Sequence, residues 1–481
     1  MELRKKIGLF LGPFLFLLIY FSPILKEKLR AHNLLCIFFL IVCWWITEAI
    51  PIPLTALCVP ILITAFGISS AKEAFSPFAH PIIFLFLGSF ILAKAMRVHQ
   101  LDEKFAHSIL SIKMISRNHI RVLFAFGAVT LFLSMWLSNT ATTAMMYPIG
   151  LGLLSAYRSN LNERNLKEFS TVIMLLAAYS SSIGGIGTPI GSPPNLIAIG
   201  MLEKFVNYKI TFFQWMIINF FILVPMFFFL FFFLKLKLPR DKLEHKAFFK
   251  EKNKFSKAQK NVIIAFSITV LLWIIPGIVA LIYGKNSVIY IWLSHHLPEP
   301  VAALIGVSIL FLLPVDWKRG KFTLSMSEAV KIDWGTLLLF GGGLSLGFQM
   351  FNTGLAEIIG KNFINLFSSR NSSLITLLAV ILGVYLTEVT SNTATANMII
   401  PIVIAISKAA NINPLPPVLG SAIGASFAFM LPVATPPNAI IYGSRLVPLT
   451  RMIKTGFWLN NVGIIIIWAV ITYFAPLLGI Y

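Results

Sequence analysis

The sequence predicts an all-α polytopic membrane protein of about eleven transmembrane helices plus two re-entrant hairpins arranged as inverted repeats. Three observations carry that expectation. Hydrophobic residues make up 57% of the 481 positions and charged residues only 12%, with a mean hydropathy of +0.84; a soluble domain carries about 25% charged residues. Apolar runs able to cross a bilayer recur at Ile7–Leu25, Leu34–Ile50, Ile210–Leu234, Val262–Ile282 and Phe457–Leu478, with a shorter candidate at Val301–Val315. Polar letters also interrupt apolar sequence twice in the same way: "LSNTATT" at Leu137–Thr143 and "TSNTATAN" at Thr390–Asn397.

Taken from the N-terminus, the run after "MELRKK" has no small-x-small cleavage site and many spans follow it, so it reads as a retained first helix. Cys36, Cys43 and Cys58 all fall in early apolar segments. Their spacing makes neither a metal site nor a disulfide framework, and buried packing is their expected role. The net charge of +21 is concentrated at span ends rather than on a nucleic-acid face. Residues Lys235–Lys260 hold ten Lys or Arg against three acids, and "RKK" at Arg4–Lys6 and "DWKRGK" at Asp316–Lys321 repeat the pattern. Short basic loops mark the cytoplasmic side, so no nucleic-acid partner is needed. The uncharged "PLLGIY" favours an outside C-terminus. A cytoplasmic N-terminus with an outside C-terminus needs an odd number of spans, about eleven. The expected location is the plasma (inner) membrane, multi-pass, with the lipid bilayer as surroundings.

The chain echoes itself. "FLGSFILAKAM" at Phe86–Met96 resembles "FGGGLSLGFQM" at Phe340–Met350, and each precedes its "SNTAT". Each "SNTAT" is followed by a second polar break, "GTPIGSPPN" at Gly187–Asn195 and "LPVATPPN" at Leu431–Asn438. The expected organisation is N-terminal scaffold helices at 1–74, a first repeat at 75–238, a basic cytoplasmic loop at 239–261, linking scaffold helices at 262–330 and a second repeat at 331–481. With the basic loop inside, the first hairpin opens from the cytoplasm and the second from outside. Inverted repeats place a transporter's site at their interface, and matching polar breaks point to it.

Irregular backbone survives at membrane depth only where protein buries it or it lines a wet cavity. "SNT" between two apolar arms suits a hairpin tip, since Ser and Asn cap the following half-helix. The N–H groups of that half-helix stabilise an anion. Ser134 precedes Ser138 by four residues and Thr387 precedes Ser391 by four, which puts each hydroxyl pair on one helix face. Hydroxyl, amide and carbonyl oxygens suit an alkali cation, and the Pro-Pro breaks free upstream carbonyls. None of the four breaks carries Lys or Arg in its central letters. An anion held there depends on helix ends, hydroxyls and cations bound beside it. Against an inside-negative potential each charge costs about 2.3 kcal/mol per 100 mV, so two monovalent cations cancel a dianion and a third drives its uptake.

Other features weigh less. Most Ser and Thr in spanning helices bond their own i−4 carbonyls. "GLSLG" at Gly343–Gly347 has the letters of a nucleophile elbow but sits in an apolar helix, where small-residue packing explains it. Glu48 and Glu388 are carboxylates in apolar surroundings, the second outside the shared pattern because Met135 replaces it in the first repeat. His80 reads as a satisfied interfacial histidine and Lys94 as a snorkelling one.

"SNTATT", "TSNTATAN", "GSPPNLIAIG", "FAFMLPVATPPNAIIYGS" and "WWITEAIPIPLTAL" together resemble the divalent anion:sodium symporter family of di- and tricarboxylate carriers. The resemblance implies a homodimer of eleven-helix protomers in which a transport domain moves like an elevator against a scaffold. It implies one sodium at Ser134, Ser138, Asn139 and the Gly191 carbonyl. It implies another at Thr387, Ser391, Asn392 and the Ala434 carbonyl. Substrate carboxylates would lie against Ser138, Asn139, Thr140, Ser192, Asn392, Thr393 and Thr435, near Pro193 and Pro436. Two or more sodium sites and no organic cofactor are expected, with uptake of a C4 dicarboxylate such as succinate, malate or fumarate. Arg445 departs from the family, whose members often carry a small residue there. Sodium-independent exchange is the alternative within the same fold, disfavoured because both hydroxyl pairs are present. An anion channel and an intramembrane hydrolase are the readings from other classes; the hydrolase has no credible nucleophile and base.

Overall fold

In the computed structural model the described residues are 3–112, 118–157, 162–238, 254–367 and 370–477. Residues 239–253 of the basic stretch and the last four residues of the chain lie outside them. Among the described residues the regular structure is helical, apart from one two-stranded hairpin, β1 (Pro314–Asp316) with β2 (Lys321–Phe322). Five helical stretches are long and apolar enough to cross a membrane: Leu29–Thr47, Ala71–Val98, Phe212–Lys235, Lys257–Tyr283 and Leu449–Leu477. A sixth is the pair Val288–His296 and Glu299–Leu312, bent by 57°. The bend falls at Leu297 and Pro298, where proline removes a backbone donor and restricts the residue before it.

Three N-terminal helices, α1 (Leu3–Phe21), α2 (Leu29–Thr47) and α3 (Ile52–Ala65), precede the first repeat-like segment. That segment runs α4 (Ala71–Phe75), α5 (Pro81–Val98), α6 (Leu101–Leu110), α7 (His119–Ser134), α8 (Asn139–Tyr157), α9 (Glu163–Gly184), α10 (Pro193–Val206) and α11 (Phe212–Lys235). Then come α12 (Lys257–Tyr283), α13 (Val288–His296) and α14 (Glu299–Leu312). The second segment follows the same order: α15 (Met326–Ala329), α16 (Trp334–Asn352), α17 (Leu355–Phe367), α18 (Ser372–Thr387), α19 (Asn392–Ala409), α20 (Leu415–Gly424), α21 (Pro436–Gly443) and α22 (Leu449–Ala469).

The arms α7 and α18 are 16 residues each, about 24 Å at the helical rise of 1.5 Å, short of the roughly 30 Å hydrocarbon core. Each is joined to its partner by four residues, Met135–Ser138 and Glu388–Ser391, and packs against it. The two segments interlock around the breaks: α10 packs on α19 and α20, and α21 on α8 and α9. Large side chains such as Trp215, Tyr179, Phe427 and Phe429 are fully buried there. The GLSLG stretch lies inside α16, where a Cβ on Gly343 would fall 1.9 Å from Asn397 Oδ1. This is close helix packing rather than a strand-to-helix elbow.

Candidate functional site

Both SNT stretches break the helix at the same point. Ser391 is the N-cap of α19 and its hydroxyl accepts from the Ala394 N–H at 3.2 Å. Ser138 does the same for α8, accepting from Ala141 N–H at 3.3 Å. A serine cap satisfies one orphan donor and leaves the remaining N–H groups of the first turn facing forward, at the positive end of the helix dipole. The asparagine that follows turns back. Asn139 Oδ1 accepts from Ser134 Oγ at 2.8 Å, and Asn392 Oδ1 accepts from Thr387 Oγ1 at 2.7 Å. Thr387 Oγ1 also lies 2.9 Å from the Ala425 carbonyl. Ser134 and Thr387 are fully buried.

The Pro-Pro-Asn breaks are equally matched. Pro193 and Pro436 open α10 and α21 at a position where the missing N–H costs nothing. Asn195 Nδ2 donates to the Gly185 and Thr188 carbonyls at 2.9 and 2.8 Å. Asn438 Nδ2 donates to the Ala428 and Leu431 carbonyls, both at 3.0 Å. The offsets are identical, ten and seven residues back. Each asparagine therefore staples a loop whose own backbone bonds are isolated turns. Thr188 donates to the Met135 carbonyl, tying the first break to the first tip. The Ser192 and Ser426 hydroxyls sit 3.0 Å apart, joining the first break to the loop after α20.

Oxygens converge where tip and break meet. A Cβ placed on Gly191 would lie 2.6 Å from the Gly185 carbonyl oxygen and 3.0 Å from those of Met135 and Ser134. A Cβ on Gly185 would lie 2.3 Å from Asn139 Oδ1. Neutral carbonyl and amide oxygens gathered this closely, with the Ser134 hydroxyl beside them, are of the type that binds a hard cation. The second tip gathers Thr387 Oγ1, Asn392 Oδ1 and the Ala425 carbonyl in the same way. The donor chemistry fits sodium at both.

A cavity of about 650 Å³ opens between the tips. Ser138, Asn139, Thr140, Gly191, Ser192 and Pro193 line it from the first segment. Ser391, Asn392, Thr393, Ala434, Thr435 and Pro436 line it from the second. Ser134 and Thr387 do not line it; they stand behind the tips, one turn down each arm. Sequence reasoning missed a further wall, made by Arg97 on α5 and by Lys331, Asp333 and Thr336 around the start of α16. Nothing in the spacing of the SNT and Pro-Pro-Asn motifs reaches those positions.

Glu388 is 4% exposed and lies outside the cavity lining. Its carboxylate accepts the N–H groups of Phe429, Met430 and Leu431 at 2.8, 2.9 and 3.0 Å, and Asn460 Nδ2 at 2.7 Å. The lone acid of the second tip thus braces the second break, and Tyr179 secures the same loop by donating to the Phe429 carbonyl at 2.7 Å. Glu388→Ala leaves four buried donors without their acceptor, so stability should fall by about 3–5 kcal/mol. Thermal unfolding of the purified protein in detergent reads this, and an unshifted midpoint contradicts it.

The remaining flagged residues lie apart from the cavity. Glu48 ends α2 in a left-handed conformation (φ 52°). Arg445 is exposed beyond α21, also left-handed (φ 61°). His80 caps α5, its ring nitrogen accepting from Ile82 N–H at 3.4 Å.

The chain is 35% identical, over 98% of its length and 92% of the relative's, to the sodium-dependent dicarboxylate transporter SdcS of Staphylococcus aureus (strain USA300). It is 34% identical, with the same coverage, to the protein of the same name from Staphylococcus saprophyticus. Its fold is similar to the crystal structure of the Alcanivorax borkumensis YdaH transporter, with a TM-score of 0.58 at 11% identity, covering 94% of this chain and 98% of that one. The family described as the sodium:sulfate symporter transmembrane region matches residues 4–481. With a match of that extent, over a fold built around paired helix breaks, the chain belongs to the sodium:sulfate symporter family of multi-pass membrane transporters.

Proposed function

We propose that this protein couples sodium influx to the uptake of a divalent anion, with a C4 dicarboxylate such as succinate, malate or fumarate as the preferred substrate. The observation that carries the reading is the pairing of an anion cradle with a cation cradle at each tip. The N-terminal turns of α8 and α19 face one cavity, while Ser134 with Asn139, and Thr387 with Asn392, gather oxygens directly behind them. The names of the staphylococcal relatives support sodium and dicarboxylate alike. The asparagine of each tip belongs to both cradles: its Oδ1 accepts from the buried hydroxyl on the cation side, and the residue lines the cavity. Binding one ion there pre-organises the turn for the other, which is the physical content of coupling.

In this reading two sodium ions neutralise the dianion and a further one supplies the driving force. The protomer has about eleven spans, with the N-terminus in the cytoplasm and the C-terminus outside in the inner membrane. It pairs as a homodimer, and the interlocked breaks move as one transport domain. The parallel order of elements in the two segments supports inverted repeats at 75–238 and 331–481. The test is labelled succinate uptake by proteoliposomes with and without an inward sodium gradient. Uptake that ignores the gradient and needs internal dicarboxylate makes the protein an exchanger instead.

The buried hydroxyls give a sharper test. Thr387→Val keeps the shape and removes one oxygen, so about 1–2 kcal/mol of cation affinity is lost. Half-maximal uptake should need roughly ten-fold more sodium, while saturating sodium largely restores substrate affinity. Ser134→Ala should behave alike at the other site. Unchanged sodium dependence in both variants removes these hydroxyls from the cation sites.

A further inference from the structure

The cavity is far larger than a four-carbon diacid, lying within the range of about 300–1,000 Å³ that holds drug-sized ligands. The tips fill only part of its lining. The rest includes Arg97, one residue from the end of α5, and Lys331, three residues before α16. Both are exposed, and among the described residues neither side chain makes a hydrogen bond or an ion pair. Two acids lie near them, and neither is paired with them. Asp333 caps α16, its Oδ1 accepting from the Thr336 N–H at 3.1 Å and its Oδ2 from Thr336 Oγ1 at 2.6 Å. Asp102 is buried at the start of α6, where burial pushes its carboxyl above the usual carboxylate range while the charge of Arg97 acts the other way.

This wall also has a defined place in the molecule. Two residues beyond Arg97, the His99 ring bonds the Thr323 carbonyl at 2.6 Å, and Gln259 at the start of α12 donates to the His99 carbonyl at 2.9 Å. Asn261 ties Thr323 to the same end of α12. The end of α5, the β-hairpin with its "DWKRGK" turn and the start of α12 after the basic stretch therefore cluster together. Positive charge at span ends assigns that cluster to the cytoplasm.

We propose that Arg97 and Lys331 form an anion-collecting rim on the cytoplasmic side of the cavity, which holds a dianion electrostatically between the cytoplasm and the SNT tips and sets the apparent affinity at that face. The proposal rests on the reading of the protein as a dianion carrier. Two unpaired cations at the mouth of a low-dielectric cleft raise the local concentration of anions, and exposed charges of this kind are screened by salt. The sodium:dianion ratio is untouched, since neither residue belongs to a cation cradle.

The experiment compares everted and right-side-out membrane vesicles carrying the full-length protein. Sodium is held constant and ionic strength is varied with N-methylglucamine chloride. In everted vesicles at low ionic strength, R97Q/K331Q should raise the KM for succinate about ten-fold with little change in maximal rate or sodium half-saturation. The difference should shrink below about two-fold at high ionic strength. R97K/K331R should restore the wild-type KM, and D333N, which keeps the cap but removes the negative charge, should lower it. In right-side-out vesicles the KM should not move. An unchanged KM at the everted face, a change that salt does not screen, or an equal change at both faces overturns the rim. Wild-type vesicles without sodium-dependent uptake of succinate or sulfate overturn the carrier reading itself, and the rim with it.

Discussion

Gly191→Ala is expected to abolish sodium-dependent uptake while leaving a folded protein. The added methyl lands 2.6 Å from the Gly185 carbonyl oxygen and 3.0 Å from those of Met135 and Ser134. All three belong to backbone, so no flexible side-chain end can swing aside. Relief requires the first tip and the first break to part, and that parting opens the oxygen cluster proposed to hold a cation. Overpacking of this kind costs about 1–3 kcal/mol, which at the upper end is a roughly hundred-fold loss in cation affinity. The second repeat supplies the control. Ala434 occupies the corresponding place in "ATPPN" and already carries a methyl, so Ala434→Gly should cost little. Uptake by proteoliposomes over a wide sodium range separates the two variants. Near wild-type sodium dependence in Gly191→Ala would remove the oxygen cluster from the mechanism.

Much of this site was legible in the sequence because its features are local. A serine cap, an i,i+4 hydroxyl pair and a Pro-Pro helix start are each decided within a few residues, and their recurrence after about 250 positions marked them against the background of satisfied membrane hydroxyls. The boundaries followed: α7 ends at Ser134 and α18 at Thr387, the residues singled out one turn before each tip serine. What depends on tertiary contact was not legible. That Asn195 and Asn438 staple their loops can be stated only once the carbonyls ten and seven residues upstream are seen to turn back. Glu388 could be flagged as a costly buried charge, but its four donors come from the second break and from α22, 41 to 72 residues away. Arg97 and Lys331 were invisible as a pair because 234 residues separate them and each alone reads as an ordinary span-end cation. The family resemblance was carried by the motifs; the charged rim belongs to this chain's own surroundings.

The tip asparagines should separate anion from cation most sharply. Asn139→Ala and Asn392→Ala each remove an amide that bonds the buried hydroxyl behind it and lines the cavity in front. Each should weaken both ions, with apparent substrate affinity falling about ten- to a hundred-fold, as for a lost hydrogen bond to a charged group of roughly 1.5–3 kcal/mol. Replacement by aspartate should split the effects. Asn392→Asp keeps the oxygen that accepts from Thr387, adds a negative charge behind it and removes the two amide donors. The cation is then held more tightly, whereas a dianion meets like charge at the helix end meant to cradle it. The expected result is a larger stabilisation of the purified protein by sodium alone, together with loss of succinate binding at any sodium concentration. Sodium-induced shifts in thermal unfolding, read with and without succinate, measure both halves at once. If aspartate weakens sodium and substrate in parallel, the asparagine serves the turn alone, and the two cradles do not share it.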